Sequence, residues 1–347
     1  MCGPCRLFER PKSDTQFVRC RGESDNFLGF DVNILADFGI HIFERGWLSS
    51  NNVLCVGTGN NTLVDTGYVD HAAQTVELVQ SALTRPLTSI VNTHLHSDHC
   101  GGNAALQRIF PEAETWVPAP SFEAVKHWDG DALTYAVTGQ SCPAFRADHS
   151  YQSGDLLRMG DTYWRAYPAM GHDPDAMLLF HAEHRILISG DALWGNGLGV
   201  MFPELDEADA FDAALGTLDH IKALDPLVVI PGHGAVFTDV ADAIGRAERR
   251  IRQWQSAPDS HYLYGLKVLV KFKLLSAQQI TMGDLIAWAE RTPYLQRLKM
   301  KAITLLDIQE TDAEGSGEMA PVIKRLVALL EKSNAARVAD GIVYNVG

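Results

Sequence analysis

No apolar run in this 347-residue chain approaches the length of a membrane span, and the opening Met1-Cys2-Gly3-Pro4-Cys5-Arg6 lacks the apolar centre of a secretory signal. A membrane partner is therefore not expected, and the cytoplasm is the expected location. Cysteine is sparse: six residues at irregular spacings make no disulfide framework in a chain this long, so reduced thiols are expected. Cys2 and Cys5 form a Cys-x-x-Cys with only Cys20 nearby as a third thiol, short of the four ligands of a structural zinc site, and residues 1–25 read as a tail. Cys100 reads as a small buried residue. Positive charge is also scarce, with 29 Lys and Arg against 43 Asp and Glu. From residue 262 onward the balance is 11 against 9, which leaves 18 against 34 before it, so the larger part of the chain should repel a phosphate backbone.

Histidine, by contrast, is concentrated. Thr93-His94-Leu95-His96-Ser97-Asp98-His99 places three imidazoles and a carboxylate directly after the apolar run Ser89 to Asn92. Along an extended segment alternate side chains point the same way, so His94 and His96 can share one ion, with Asp98 and His99 left for a second. Three later ligand types follow the same local pattern of short apolar strand, glycine, then ligand: Gly171-His172, Gly190-Asp191 and Gly232-His233. Glycine lets the backbone turn tightly beside an ion. Two cations roughly 3.5 to 4 Å apart would hold a shared water as hydroxide and polarise a carbonyl or phosphoryl oxygen, which makes the expected chemistry hydrolytic. Asp98 reads either as a ligand alone or as a ligand that also passes a proton to the leaving group.

With these motifs the sequence resembles the metallo-beta-lactamase-fold hydrolase superfamily, whose His-x-His-x-Asp-His falls at residues 94 to 99 and whose upstream motif matches Leu63-Val64-Asp65-Thr66-Gly67. The resemblance spans about residues 46 to 238. It implies an αββα sandwich of mixed α and β structure, one ion on His94, His96 and His172, a second on Asp98, His99 and His233, Asp191 bridging, and Asp65 orienting the ligand loops. Two zinc ions are the expected cofactors, with iron or manganese as alternatives. The two-zinc beta-lactamases of the family carry cysteine where this chain has Asp191, so antibiotic hydrolysis is not implied.

The remaining chain divides into an expected catalytic domain, 26–258, and a C-terminal domain, 259–347. In the first, strands are expected at 53–56, 62–65, 156–167, 176–180, 185–189 and 227–230, with helices at 72–83, 103–110, 208–224 and 240–254. The N-terminus of the helix after Gly102 would face the site and favour anions. Residues 118–150 carry Trp128, Tyr135 and Phe145, which read as pocket walls or as a small core of their own. Trp194 and Asn196 are the expected substrate contacts, and Tyr68 an oxyanion donor. His41, His71, His127, His149, His181, His184, His220 and His261 have no assigned role.

In the C-terminal part, helices at 264–275, 283–291 and 322–330 and a hairpin at 335–346 suggest a winged helix, resembling the lactamase-beta-like protein 2 group of the same superfamily. Lys267, Lys271, Lys273, Arg297, Lys299 and Lys301 read as a solvated face rather than a nucleic-acid patch, leaving the domain to close the pocket or mediate homo-oligomerisation. The leading expectation is a dinuclear hydrolase of a small acyl substrate, a thioester, ester or lactone, with ligands resembling those of hydroxyacylglutathione hydrolases (glyoxalase II). A single-stranded RNA endonuclease is the second reading, and iron-dependent oxygen or persulfide chemistry the third.

Overall fold

Several short strands here are buried along their whole length, among them Asn61–Val64, Met177–His181 and Ile186–Gly190. Such strands need cover on both faces, which two stacked sheets with helices outside provide. In the computed structural model the described residues are 34–206, 208–308 and 319–347; the expected tail, with Cys2, Cys5 and Cys20, lies outside them.

After a short helix α1 (Ile34–Asp37), strands β1 (Ile40–Phe43), β2 (Asn52–Val56) and β3 (Asn61–Val64) pair antiparallel. Strands β4 (Ser89–Val91), β5 (Glu114–Pro118) and β6 (His149–Tyr151) then add in parallel, so the first sheet runs β1-β2-β3-β4-β5-β6. Helices α2 (Ala72–Ala82), α3 (Ser97–Cys100), α4 (Asn103–Ile109) and α5 (Phe122–His127) lie between these strands in sequence. The second sheet has the order β11-β10-β9-β8-β7, from β7 (Leu156–Met159), β8 (Thr162–Pro168), β9 (Met177–His181), β10 (Ile186–Gly190) and β11 (Val228–Pro231), with α6 (Phe202–Leu205), α7 (Phe211–Leu224) and α8 (Val240–Ser256) in this half.

Period-two alternation sorts the side chains into layers. Val53, Cys55 and Val64 meet Trp164, Leu179, Ile188 and Ile230 between the sheets. Leu54, Leu63 and Ile90 point the other way onto Val79 of α2 and Leu106 of α4, while Leu178, Leu187 and Val229 meet Leu218 of α7 and Ile244 of α8. The result is the expected αββα sandwich. Trp164 is fully buried at its centre, its indole donating to Thr162 Oγ1 at 2.9 Å. Trp164→Ala should cost about 3–5 kcal/mol, read as a lowered denaturant midpoint at unchanged slope; a loss under about 1 kcal/mol would contradict this packing.

The C-terminal part comprises α9 (Pro258–Ala277), β12 (Gln279–Thr281), α10 (Met282–Arg291), α11 (Pro293–Leu305), α12 (Met319–Lys332), β13 (Ala336–Ala339) and β14 (Ile342–Asn345), the strands forming a sheet of order β12-β14-β13. The expected cap is present: Thr281 Oγ1 accepts from Asp284 N at 3.0 Å. Among the described residues four helices replace the expected three, because Pro293 opens α11 at a position where proline is tolerated, rather than marking a break. Likewise the expected single strand 156–167 is a hairpin turning at Gly160, whose φ of +62° suits glycine. Before α4, the N-cap Gly102 is held by the Asp65–Gly67 segment, its N donating to Gly67 O at 3.1 Å and to Thr66 Oγ1 at 3.2 Å.

The C-terminal helices dock on the sandwich near the carboxyl ends of β4, β10 and β11. Met201 N donates to His261 Nε2 at 3.2 Å, and Tyr294 N to Val137 O at 3.0 Å. Gly265 of α9 lies so close against Leu205 that an added Cβ would come within 2.6 Å of its Cδ1.

Candidate metal centre

Each sandwich strand that ends near this junction delivers a side chain to one point. The loop after β4 carries His94, His96, Asp98 and His99; Asp191 follows β10 and His233 follows β11, while His172 sits between β8 and β9. His96 Nδ1 lies 3.1 Å from His94 Nε2 and 2.8 Å from His172 Nε2. Beside this trio, Asp98 Oδ2 lies 3.2 Å from His233 Nε2 and 4.0 Å from His99 Nε2. Asp191 stands between the groups: its Oδ1 is 3.3 Å from His99 Nε2, and its Oδ2 is 3.4 Å from His172 Nε2 and 3.8 Å from His233 Nε2. The structure thus brings together all seven ligand residues read from the sequence, in two clusters that could hold metal ions.

The outer partners of these rings decide which nitrogens are lone pairs. His172 Nδ1 donates to Val200 O at 2.6 Å, leaving Nε2 without a proton. His96 Nε2 faces Asp173 Oδ2 at 3.5 Å, leaving Nδ1 bare as well, so two lone pairs oppose each other at 2.8 Å. His99 Nδ1 donates to Asp65 Oδ2 at 2.8 Å, and its Nε2, fully buried and without a hydrogen-bond partner, faces carboxylate oxygens. Lone pairs converging on lone pairs repel unless a cation lies between them, and imidazole and carboxylate donors suit zinc and its neighbours. The residues therefore fit a metal pair.

Burial would lower His99, but Asp191 and Asp65 outweigh it and raise that ring well above its ordinary value, while the other groups stand in ligand-ready forms. Burial, then the neighbouring imidazoles, hold His94 well below its ordinary value, and burial with His96 lowers His172 to about 4. Burial would raise Asp191, but His99 and His233 outweigh it and hold the carboxyl well below the usual range. Neutral imidazoles around ionised carboxylates are the ligand-ready forms.

Asp65, at φ +55°, accepts from Thr93 N at 2.9 Å and Thr93 Oγ1 at 2.8 Å besides holding His99, so it fixes the loop as well as one ring. Trp194 lines the site and donates from Nε1 to Asp191 Oδ1 at 3.2 Å. Asn196, in contrast, is exposed at the tip of the Trp194–Gly197 turn and does not line the cavity. Tyr68 is buried; its hydroxyl accepts from Ser141 N at 3.1 Å and its ring packs edge-on against Phe272, away from the cavity lining. The hydrophobic packing of Trp128, Tyr135 and Phe145 makes a small core, and Tyr135 also reaches the cavity.

Sequence reasoning missed Trp47, which is 55% exposed, lies parallel to the His233 ring with centroids 5.5 Å apart, and meets Trp194 edge-on. An isolated tryptophan between two short strands carries no periodic signal. Asp173 was legible only as the residue after His172. A further group, His181, Glu183 and His184, lies at the far end of the second sheet, but its two rings stack nearly parallel instead of converging.

The cavity over the metal cluster has a volume of about 990 Å³ and is bounded on one side by the insertion 132–140 and on the other by α9. Comparison with known proteins agrees with this architecture. A metallo-beta-lactamase family protein from Thermus thermophilus superposes with a TM-score of 0.52 over 88% of this chain and 98% of its own at 16% identity, a likeness of fold. Acyl-coenzyme A thioesterase MBLAC2 of Homo sapiens is 26% identical over 58% of this chain and 80% of its own length. An atrochrysone carboxyl ACP thioesterase of Aspergillus fumigatus is 28% identical over 68% of this chain, which spans 64% of that protein, just under two thirds. The Beta-lactamase-like protein 2 homolog of Caenorhabditis elegans is 25% identical over 73% of this chain and 77% of its own length. The profile of the Metallo-beta-lactamase superfamily matches residues 45–233, the stretch that carries every ligand of both clusters, and the chain belongs to that superfamily.

Proposed function

We propose that this protein is a dinuclear, zinc-dependent hydrolase of acyl thioesters. The observation that carries the reading is the opposed lone pairs of His96 and His172, with the buried, unpartnered Nε2 of His99 among carboxylates beside them, at the floor of a large, mainly apolar-walled cavity. His94, His96 and His172 would hold one ion and Asp98, His99 and His233 the other, with an oxygen of Asp191 turned to each. When bound, two such ions lower the pKa of a shared water and polarise a carbonyl oxygen.

The chain's own groups do the rest. Asp98 has its side chain 15% exposed on the cavity, so its carboxylate can both hold an ion and take the proton of the attacking water. A thioester demands little more: a thiol of pKa about 8.5 leaves as the anion with no acid behind it, whereas an ester's alkoxide needs one. Trp47 and Trp194 crowd the His233 side of the cavity with apolar surface. The names of the human and fungal relatives, both thioesterases, support the same substrate class.

Against the RNA reading stands the engagement of three of the six basic residues of the expected patch. Lys271 is tied to the C-terminal hairpin, Arg297 pairs with Asp206, and Lys301 sits over Tyr262 beside Asp259. The test is hydrolysis of thioesters, esters, lactones and single-stranded RNA by zinc-loaded protein and by Asp98→Ala. Thioester cleavage that stops with chelator, and drops more than about 100-fold in the variant, is expected. RNA cut by the intact protein but not the variant, with thioesters untouched, would overturn the assignment.

A further inference from the structure

We propose that one face of α9 is the acyl-binding wall of this site, and that Val268 and Leu275 set the length of acyl chain it accepts. The chemistry rests on the thioester reading above; the location rests on a separate observation. Tyr264, Lys267, Val268, Lys271, Phe272 and Leu275 recur at intervals of three and four, and all six line the cavity that the metal ligands floor. From Tyr264 to Leu275 this stripe is about 16 Å long. Its Tyr264 end lies toward the ligands, since Tyr264 packs against the core cluster that holds Ala192 and Leu193, the two residues after Asp191. Its Leu275 end lies beside the C-terminal hairpin, where Leu330 and Val346 also border the cavity.

The stripe is more apolar than its residue names suggest. Lys271 Nζ donates to Ala335 O and Asn345 Oδ1 at 2.7 Å and to Val346 O at 2.8 Å, so the ammonium is turned to the hairpin while its stem stays in the wall. Lys267 falls on one flank of the stripe by helical geometry. A phosphate-bearing thiol carrier gains nothing from such a surface, whereas each methylene removed from water there strengthens binding roughly fourfold. With the carbonyl fixed at the ligands, the acyl half lies along α9 and the thiol half points outward. Val268, one turn beyond Tyr264, stands early on the path, and Leu275 stands late.

Position along the helix makes the test graded. With butyryl, octanoyl, dodecanoyl and hexadecanoyl thioesters of one thiol, Val268→Trp should lower kcat/KM about tenfold or more from octanoyl upward while butyryl stays within about threefold. Leu275→Trp should spare octanoyl and penalise hexadecanoyl by a similar factor. Calorimetric binding of dodecanoate should weaken about tenfold in Val268→Trp, a readout independent of turnover. Loss spread evenly over all lengths, or none, with dodecanoate binding unchanged in a folded variant, overturns the wall. A protein that cleaves no thioester yet binds dodecanoate, and loses it in Val268→Trp, sinks the thioester reading and keeps the wall.

Discussion

Asp191→Ala should reduce bound zinc from two equivalents per chain to one or fewer and lower thioester turnover by more than about 100-fold, beyond the usual effect of removing a residue that merely orients a ligand. The reason is position. Asp191 is 7% exposed and is the carboxylate whose oxygens face both clusters, one toward His99 and the other toward His172 and His233. Alanine removes the carboxylate that stands between the two clusters and leaves the indole of Trp194 without its acceptor. The fold should persist, because the buried interior lies in the layers of the sandwich, away from the loop ends. Metal analysis beside a circular dichroism spectrum checks this; two retained equivalents with full activity would remove Asp191 from the centre.

The seven residues of the two clusters were legible because each sits in a local signal: a dense histidine string after an apolar strand, or a glycine before a His or Asp at a strand's end. So were the short buried strands of the second sheet, whose mainly apolar runs, Met177 to Phe180 and Ile186 to Ile188, call for cover on both faces. What the sequence hid depends on distance in the chain. Trp47 meets His233 across 186 residues, and α9 faces the metal loop only because Gly265 admits Leu205 and His261 accepts from Met201. The lysines of α9 read as a solvated face for the same reason, since nothing within the helix says that Lys271 will be drawn to Asn345. Tyr68 and Asn196 were placed by adjacency to a motif, but adjacency fixes a Cα and not a side chain: one ring turned into Phe272 and the other residue to solvent.

Gly232→Ala tests the close packing behind the ligands, and its effect should exceed what its size suggests. The backbone at Gly232 is not in the left-handed region, so alanine suffers no conformational strain there. The obstacle is space: an added Cβ would collide with Asp191 Oδ1 and come within 2.9 Å of His99 Cε1. Retreat is blocked, because Gly232 N donates to Gly190 O at 2.7 Å and Gly232 O accepts from Asn51 N at 2.6 Å. Asp191 and the His99 ring beside it must therefore yield. Zinc affinity should fall about 10–100-fold and kcat/KM at least as far. Gly234→Ala supplies the contrast two residues on: its φ of +84° strains any side chain, yet a Cβ there meets nothing within 4 Å. That variant should lose about 1–2 kcal/mol of stability and keep its metals. If Gly232→Ala instead melts early with zinc affinity intact, the glycine serves the turn and not the centre.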